Sequence, residues 1–294
     1  MSTWDEIRTA YHVARQGTVS GAAEVLGVHH ATVIRHIDAL EEQLGVKLFQ
    51  RHARGYTATE AGKDLLQVAQ ATDDQFSQLV SRIKGQGESV TGDLVVTSLG
   101  SLSPLVTPTL VSFQQDHPGL RVRYLTDDRV FRLEYGEAHV AIRAGQAPEQ
   151  PDNVVQPFGR IEVALYASQG YVRRKGCPKN DGDFAGHEFV AHDNDTSRAP
   201  FNAWLRAHVP AAAMVYRASQ TETIRDAVLA GAGIGFLSTW EAERLDGLTM
   251  VVPPREEWIA RLWLVTHVDL HRTPKVQTFL KHLKASARDW NIGV

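Results

Sequence analysis

The chain has 294 residues, 43% hydrophobic and 22% charged, with 31 Lys and Arg against 34 Asp and Glu for a net charge of −3. That length predicts two or three domains, and that balance excludes wholesale disorder and a global basic field. Cys177 is the single cysteine, which excludes an intramolecular disulfide and, with no second thiol to resolve an oxidised one, reads as a plain thiol. The opening Met1-Ser2-Thr3-Trp4-Asp5-Glu6 lacks the basic start and apolar run of a secretion signal, and no stretch reaches the ~18 apolar residues of a membrane span. A soluble, cytoplasmic protein without a membrane partner is expected.

The first elements read as helices. Trp4, Ile7, Tyr11 and Ala14 form one apolar stripe over residues 3–17, with Thr3 as cap and Gly17 as stop. Ser20 is expected to cap a second helix through Ala22, Ala23, Val25 and Leu26, stopped by Gly27. A third, His30 to Leu44, puts Val33, Ile37, Leu40 and Leu44 on one face and ends at Gly45. Two short helices joined by a glycine-containing turn form a helix-turn-helix. The outward face of the third helix carries His29, His30, Thr32, Arg35 and His36, groups suited to base edges and phosphates in a major groove. Val46 to Phe49, then Gln50 to Gly55, then Tyr56-Thr57 read as a hairpin wing on which Lys47, Arg51 and Arg54 gather positive charge. The segment as a whole is not basic. Arg8, Arg15, Arg35, Lys47, Arg51 and Arg54 face Asp5, Glu6, Glu24, Asp38, Glu41, Glu42 and Glu60, so charge is placed rather than abundant.

Three runs carry a family resemblance: Gly17-Thr18-Val19-Ser20-Gly21-Ala22-Ala23-Glu24-Val25-Leu26-Gly27-Val28, then Ile37 through Arg51, then Thr57-Ala58-Thr59-Glu60-Ala61-Gly62. In residues and spacing they resemble the LysR-type transcriptional regulator family. The resemblance implies base contacts from His30, Ala31, Ile34 and Arg35, and DNA-backbone contacts from Ser20, His29, Thr32, His36, Arg51 and Arg54. Two positions depart from the family pattern. His29 stands where Ser or Thr usually caps the recognition helix, and Ile34 stands where Ser is common. Ile34 offers only an apolar contact, such as to a thymine methyl, or packs partly buried. For Arg35 the alternative is a surface ion pair with Asp38.

Thr59 is expected to cap a long helix running to about Lys84. Leu65, Ala69, Thr72, Phe76, Leu79 and Ile83 follow spacings of 4, 3, 4, 3 and 4, a heptad seam. The seam favours pairing with a second chain over packing on its own domain, and a pair of recognition helices predicts an imperfectly palindromic operator. The family resemblance extends the expectation to dimer or tetramer. Gly85-Gln86-Gly87-Glu88-Ser89-Val90-Thr91-Gly92 reads as a hinge.

From Gly92 strands and helices alternate. Strands are expected at 93–98, 120–125, 140–143, near 163–166, and at 189–191, 215–218 and 261–266, with the glycine-rich run Gly231 to Leu237 as a tight turn into a buried strand. Helices are expected at 104–115, near 130–135, and at 222–230 and 273–288. This pattern predicts an α/β domain with a largely parallel sheet. Gly92-Asp93-Leu94, Ala141-Ile142-Arg143, Val228 through Gly235 and Trp263-Leu264-Val265-Thr266-His267 resemble the family's effector domain, with Ser238-Thr239 where the family usually has proline. The resemblance implies a two-lobed, periplasmic-binding-protein-like architecture behind an all-α winged helix-turn-helix and linker helix. The expected divisions are residues 1–58 for DNA binding, 59–84 for the linker, 85–92 for the hinge and 93–294 for the effector domain. Lobe one is placed at 93–161 and 268–294, lobe two at 162–267.

A cleft between such lobes suits a small molecule. The matching positions are Ser98, Gly100, Ser101, Thr126, Arg143, Gln220, Thr221 and Thr223, with Phe201 and Trp204 as an apolar wall. Hydroxyls and backbone amides at helix starts suit a small organic acid, unless these residues only cap helices. The Gly231-Ala232-Gly233-Ile234-Gly235 run follows a helix and lacks nucleotide-loop spacing, and His192-Asp193-Asn194-Asp195 lacks that of a metal site. No catalytic constellation stands out, so no enzyme activity, cofactor or metal is expected. The expected partners are double-stranded DNA, a small-molecule effector, further copies of the chain and, for an activator, RNA polymerase. The rival readings are a regulator with no effector, and an enzyme or solute carrier built on the C-terminal lobes.

Overall fold

The computed structural model describes residues 4–52, 55–83, 90–126, 130–178, 183–197, 199–290 and 292–293, with the side chains of residues 67, 71, 74, 75, 77–83 and 135 left outside the description. Arg54, the side chains of Leu79 and Ile83, and hinge residues 85–89 therefore lie outside it.

Three helices, α1 (Trp4–Gln16), α2 (Val19–Leu26) and α3 (His30–Leu44), close on a core of Ala10, Val13, Val19, Ala22, Val33, Ile37 and Leu40, joined by Leu48 and Phe49. Gly27 and Gly45 end α2 and α3 at φ +66° and +70°, a left-handed turn that other residues enter at a cost. The cap of α2 is Thr18, whose hydroxyl accepts from the Gly21 amide; the expected cap, Ser20, is an exposed residue inside the helix. His29 occupies the N-cap of α3 without a side-chain capping bond.

The wing pairs β1 (Phe49–His52) antiparallel with β2 (Gly55–Ala58), so Val46 to Leu48 lead into the hairpin rather than forming its first strand. Thr59 caps α4 (Glu60–Ile83) by accepting from the Gly62 amide at 3.2 Å. Gly62 is buried where a methyl group would lie 2.1 Å from the Leu48 carbonyl oxygen, so the linker helix is seated directly on the wing. Leu65 packs against the N-terminal core, Ala69 is buried, and Phe76 meets Trp4 edge-on at 5.5 Å. Part of the expected seam thus covers α1 of its own chain, while Val68 and Phe76 remain 66% and 50% exposed.

The C-terminal region runs β3 (Gly92–Ser98), α5 (Ser103–Asp116), β4 (Leu120–Thr126), β5 (Val140–Ala144), β6 (Asn153–Ile161), β7 (Val163–Ser168), α6 (Gln169–Lys175), β8 (Phe189–His192), α7 (Pro200–His208), β9 (Met214–Ala218), α8 (Thr221–Leu229), β10 (Gly235–Ser238), α9 (Thr239–Ala242), β11 (Leu248–Val252), β12 (Ala260–His267), α10 (Val268–His271) and α11 (Pro274–Ala287). The five-stranded sheet has the order β4-β3-β5-β12-β6, in which β3 pairs parallel with β4 and β5 while β12 pairs antiparallel with β5 and β6. Helices α5 and α11 meet over it through Phe113 and Phe279, 5.2 Å apart. In the second lobe β10-β7-β11 is antiparallel, β8 and β9 are parallel, and a bridge from Phe189 to Ile234 links the two sets.

Three expectations change here. The sheets are mixed rather than largely parallel. Strand β12 joins the first lobe's sheet, so the second lobe ends before Ala260 rather than at residue 267. The helix expected near 130–135 is a single 3-10 turn, Leu133–Tyr135, ended by Gly136 at φ +64°. One residue, Glu162, separates β6 from β7, and its carbonyl accepts from the Thr239 amide at 3.0 Å.

Candidate functional site

Helix α3 has two unlike faces. Val33, Ile37 and Leu40 are buried against α1 and α2, which leaves His29, His30, Ala31 and Arg35 exposed. Ile34 is half-buried and packs on the core, the packing alternative for that position. Arg35 makes no ion pair among the described residues, and Asp38 pairs with Arg51 instead. His36 Nδ1 lies 2.9 Å from Thr9 Oγ1, whose single proton goes to the Asp5 carbonyl at 2.7 Å. Nδ1 therefore carries the proton and ties α3 to α1, leaving the other ring nitrogen for any outside contact.

Glu41 organises the wing. Its side chain is 1% exposed and accepts from the Leu48 and Phe49 amides at 2.9 and 3.2 Å, from Lys47 Nζ at 2.7 Å and from Arg51 at 3.1 Å. Burial pushes its carboxyl upward, but the Lys47 bond, the two amides and the Lys47 charge outweigh burial and hold it below the ordinary range. Arg51, expected at the DNA backbone, is gripped by Asp38 and Glu41 and lies over the Tyr56 ring at 5.4 Å. The carboxylates that hold it are 13 and 10 residues away, a distance at which sequence spacing carries no signal. Thr32 is half-buried in the first turn of α3, and Ser20 is exposed on α2.

In the effector domain, parallel strands β3, β4 and β5 bring Ser98, Thr126 and Arg143 to one edge of the larger sheet. Ser98 Oγ donates to the Leu99 carbonyl at 2.8 Å and lies 2.5 Å from Tyr124 Oη. With its one proton committed, Ser98 accepts from the tyrosine. Burial pushes the Tyr124 phenol up to about 12 against the opposing Ser98 bond. Gly100 and Ser101 form a 3-10 turn with Leu102. Across from it stands the first turn of α8, with Gln220 as N-cap and Thr221 and Thr223 exposed. Glu222 stands where the two lobes approach: a methyl group on Gly100 would lie 2.8 Å from its Oε1.

Arg143 is half-buried and donates to the Phe131 carbonyl at 2.7 Å; burial lowers its pKa, with Glu134 opposing. Phe201 packs 5.5 Å from Phe236, but Trp204, expected as cleft wall, is buried against Phe236 and Trp258 in the second lobe's core. Tyr124 and Glu222 are the residues sequence reasoning missed. The alternation of β4 signals Tyr124, whereas nothing in the pattern distinguishes Glu222 from any acid in the first turn of a helix. Among the described residues, no group of three His, Cys, Asp or Glu could hold a metal ion, and no helix is long and apolar enough to cross a membrane.

Residues 4–63 match the bacterial regulatory helix-turn-helix protein family of the lysR type, and residues 87–288 match the LysR substrate binding domain. This chain belongs to the LysR family. The HTH-type transcriptional activator IlvY of Salmonella typhimurium is 29% identical over 241 residues, covering 79% of this chain and 81% of the relative. The regulator CrgA of Neisseria meningitidis serogroup C is 27% identical, covering 80% and 79%. The crystal structure of ArgP from Mycobacterium tuberculosis shares the fold at 19% identity, with a TM-score of 0.75 over 98% of both chains. The LysR-family chain is thus a ligand-responsive transcription regulator, with a DNA-binding helix-turn-helix joined to an effector-binding domain.

Proposed function

We propose that the protein binds an imperfectly palindromic operator as a dimer or tetramer and is switched by a small monocarboxylic acid that also carries a hydrogen-bond donor. The uncommitted Arg35 on the outer face of α3 carries the DNA half of this reading. Arg35 is the fork-shaped cation for a guanine edge, beside His30, Ala31 and the exposed rim of Ile34. Ser20, His29, Thr32, His36 and the wing arginines Arg51 and Arg54 serve the backbone. Exposed Val68 and Phe76 on α4 support pairing of linker helices, which sets the spacing of the two recognition helices. The protein acts in the cytoplasm, as a regulator rather than an enzyme, and contacts RNA polymerase where it activates.

The effector class follows from what meets between the lobes. The first turn of α8 offers amides and the Thr221 and Thr223 hydroxyls to a carboxylate, with Ser101 opposite and Arg143 at the sheet edge. The Glu222 carboxylate at the same place disfavours a bare dianion and accepts from a donor on the ligand. Footprinting of genomic DNA pulled down by the purified protein tests the first half. A protected, imperfectly palindromic site supports it, and only weak sequence-independent binding overturns it. Thermal shift across monocarboxylates with and without a hydroxyl or ammonium group tests the second. Dicarboxylate shifts equal to those of the monocarboxylates and lost on replacing Thr221 by alanine would overturn that class.

A further inference from the structure

A cleft lies where the helix-turn-helix domain meets the effector domain. It has a volume of about 570 Å³ and is lined by His12, Arg15, Gln16 and Val25 of the helix-turn-helix domain and by Asp93, Arg121, Val122 and Arg123 of the effector domain. Three arginines thus line a cleft with one carboxylate, Asp93, while Asp73 of α4 acts on Arg15 and His12 from outside the lining. Asp93 is shared: Arg15 and Arg121 both pair with it, the latter at 2.8 Å, and Lys275 Nζ donates to its carbonyl at 2.7 Å. Arg123 has no acidic partner among the described residues. It stands two residues from Arg121 on the same face of edge strand β4, about 7 Å along the strand. Burial lowers the pKa of His12, with Arg8 and then Arg15 acting in the same direction and Asp73 opposing.

We infer that this interdomain cleft is a binding site for a small polyanion, a phosphate ester or a polycarboxylate, separate from the cleft between the lobes. Like charges held on one strand and one helix face repel, and a ligand with two or more negative charges relieves that repulsion while adding charge-assisted hydrogen bonds from Arg121 and Arg123. The site is complete only when the two domains are docked, because Arg15 comes from one and Arg121 and Arg123 from the other. A ligand there stabilises the docked arrangement by its preference for it, and so sets how the reading helices are presented relative to the effector domain.

The test is calorimetric titration of the full chain with inorganic pyrophosphate at fixed ionic strength. One site per chain is expected. Arg123→Ala, on an exposed edge strand, and Arg15→Ala, on the other domain, should each weaken it by about tenfold. Arg217→Ala, remote on the second lobe, should leave it unchanged. Absence of binding at millimolar pyrophosphate, or equal affinity in wild type and Arg123→Ala, overturns the site. Repeating the titration on the protein saturated with operator DNA separates the sources of anion. Simultaneous occupancy supports a small ligand, and complete displacement overturns it in favour of a DNA phosphate.

Discussion

Replacing Glu41 by alanine removes the acceptor for two buried amides, those of Leu48 and Phe49, and the carboxylate partner of Lys47 and Arg51. Each stranded amide costs about 1–3 kcal/mol; the exposed Lys47 adds little, and Arg51 keeps its pair with Asp38. The expected loss is therefore about 3–5 kcal/mol at neutral pH, large for a domain of this size. Glu41→Gln keeps an acceptor oxygen but loses the charge, so about 1–2 kcal/mol is expected. The sign with pH follows from the depressed carboxyl. Its stabilisation is fully present above the unfolded carboxylate value, near ~4.3, and fades as pH falls through the lower folded value. Protonated Glu41 resembles glutamine in shape and charge, so the gap between wild type and Glu41→Gln should close in acid. Urea unfolding of the helix-turn-helix transition, followed by circular dichroism from pH 7 to pH 3, reads this directly. A Glu41→Ala loss under ~1 kcal/mol, or a Glu41→Gln gap independent of pH, would refute the assignment of Glu41 as the wing's anchor.

Other outcomes follow from the same geometry. Arg35→Ala should cost about 1–3 kcal/mol on the preferred operator and relax selectivity at one base pair, measured by competition binding against single-base variants; a uniform loss across sequences would make it a phosphate-binding residue. Arg51→Ala should flatten the salt dependence of DNA binding by about one unit of log–log slope for each phosphate it ceases to neutralise, and an unchanged slope would mean that Asp38 and Glu41 keep Arg51 from the backbone. Thr18→Ala should lower stability by about 1 kcal/mol and Ser20→Ala by almost nothing, since only Thr18 caps α2; thermal melts that reverse this order would contradict the cap. Gly62→Ala forces a methyl group onto the Leu48 carbonyl and should cost about 1–3 kcal/mol, and an unshifted melt would show that linker helix and wing separate freely.

The helical part of this fold is legible in the sequence because period and stops agree. Val33, Ile37 and Leu40 mark the buried face of α3, and Gly27 and Gly45 mark left-handed stops. Choosing between Thr18 and Ser20 was not possible from chemistry, since both are hydroxyl residues two positions apart. Strand β6 is not among the expected strands, and it contains Pro157 and Gly159, residues that disfavour a strand interior. Both are tolerated because β6 is an edge strand, and its register with β12 slips between Leu262 and Trp263. The identity of β12 as a strand was plain, but its partners were not, because alternation along one segment says nothing about which sheet receives it. The donation of Ser98 to the Leu99 carbonyl is not visible in the sequence, since a strand-end serine reads the same whether its proton is free or committed. Trp204 was read as cleft wall because an aromatic on a helix face looks the same whether it faces a ligand or a core.

Ile161 and Ala260 are paired neighbours across β6 and β12. The chain leaves the first lobe at one and returns at the other, having built the whole second lobe in between. That lobe therefore occupies the position of a hairpin turn, a place where chains accept long insertions without re-registering the strands that flank them. Ancestry can edit it as a cassette: one jaw of the effector cleft is free to be exchanged or reshaped, while the jaw that meets the DNA-reading domain keeps its strand order.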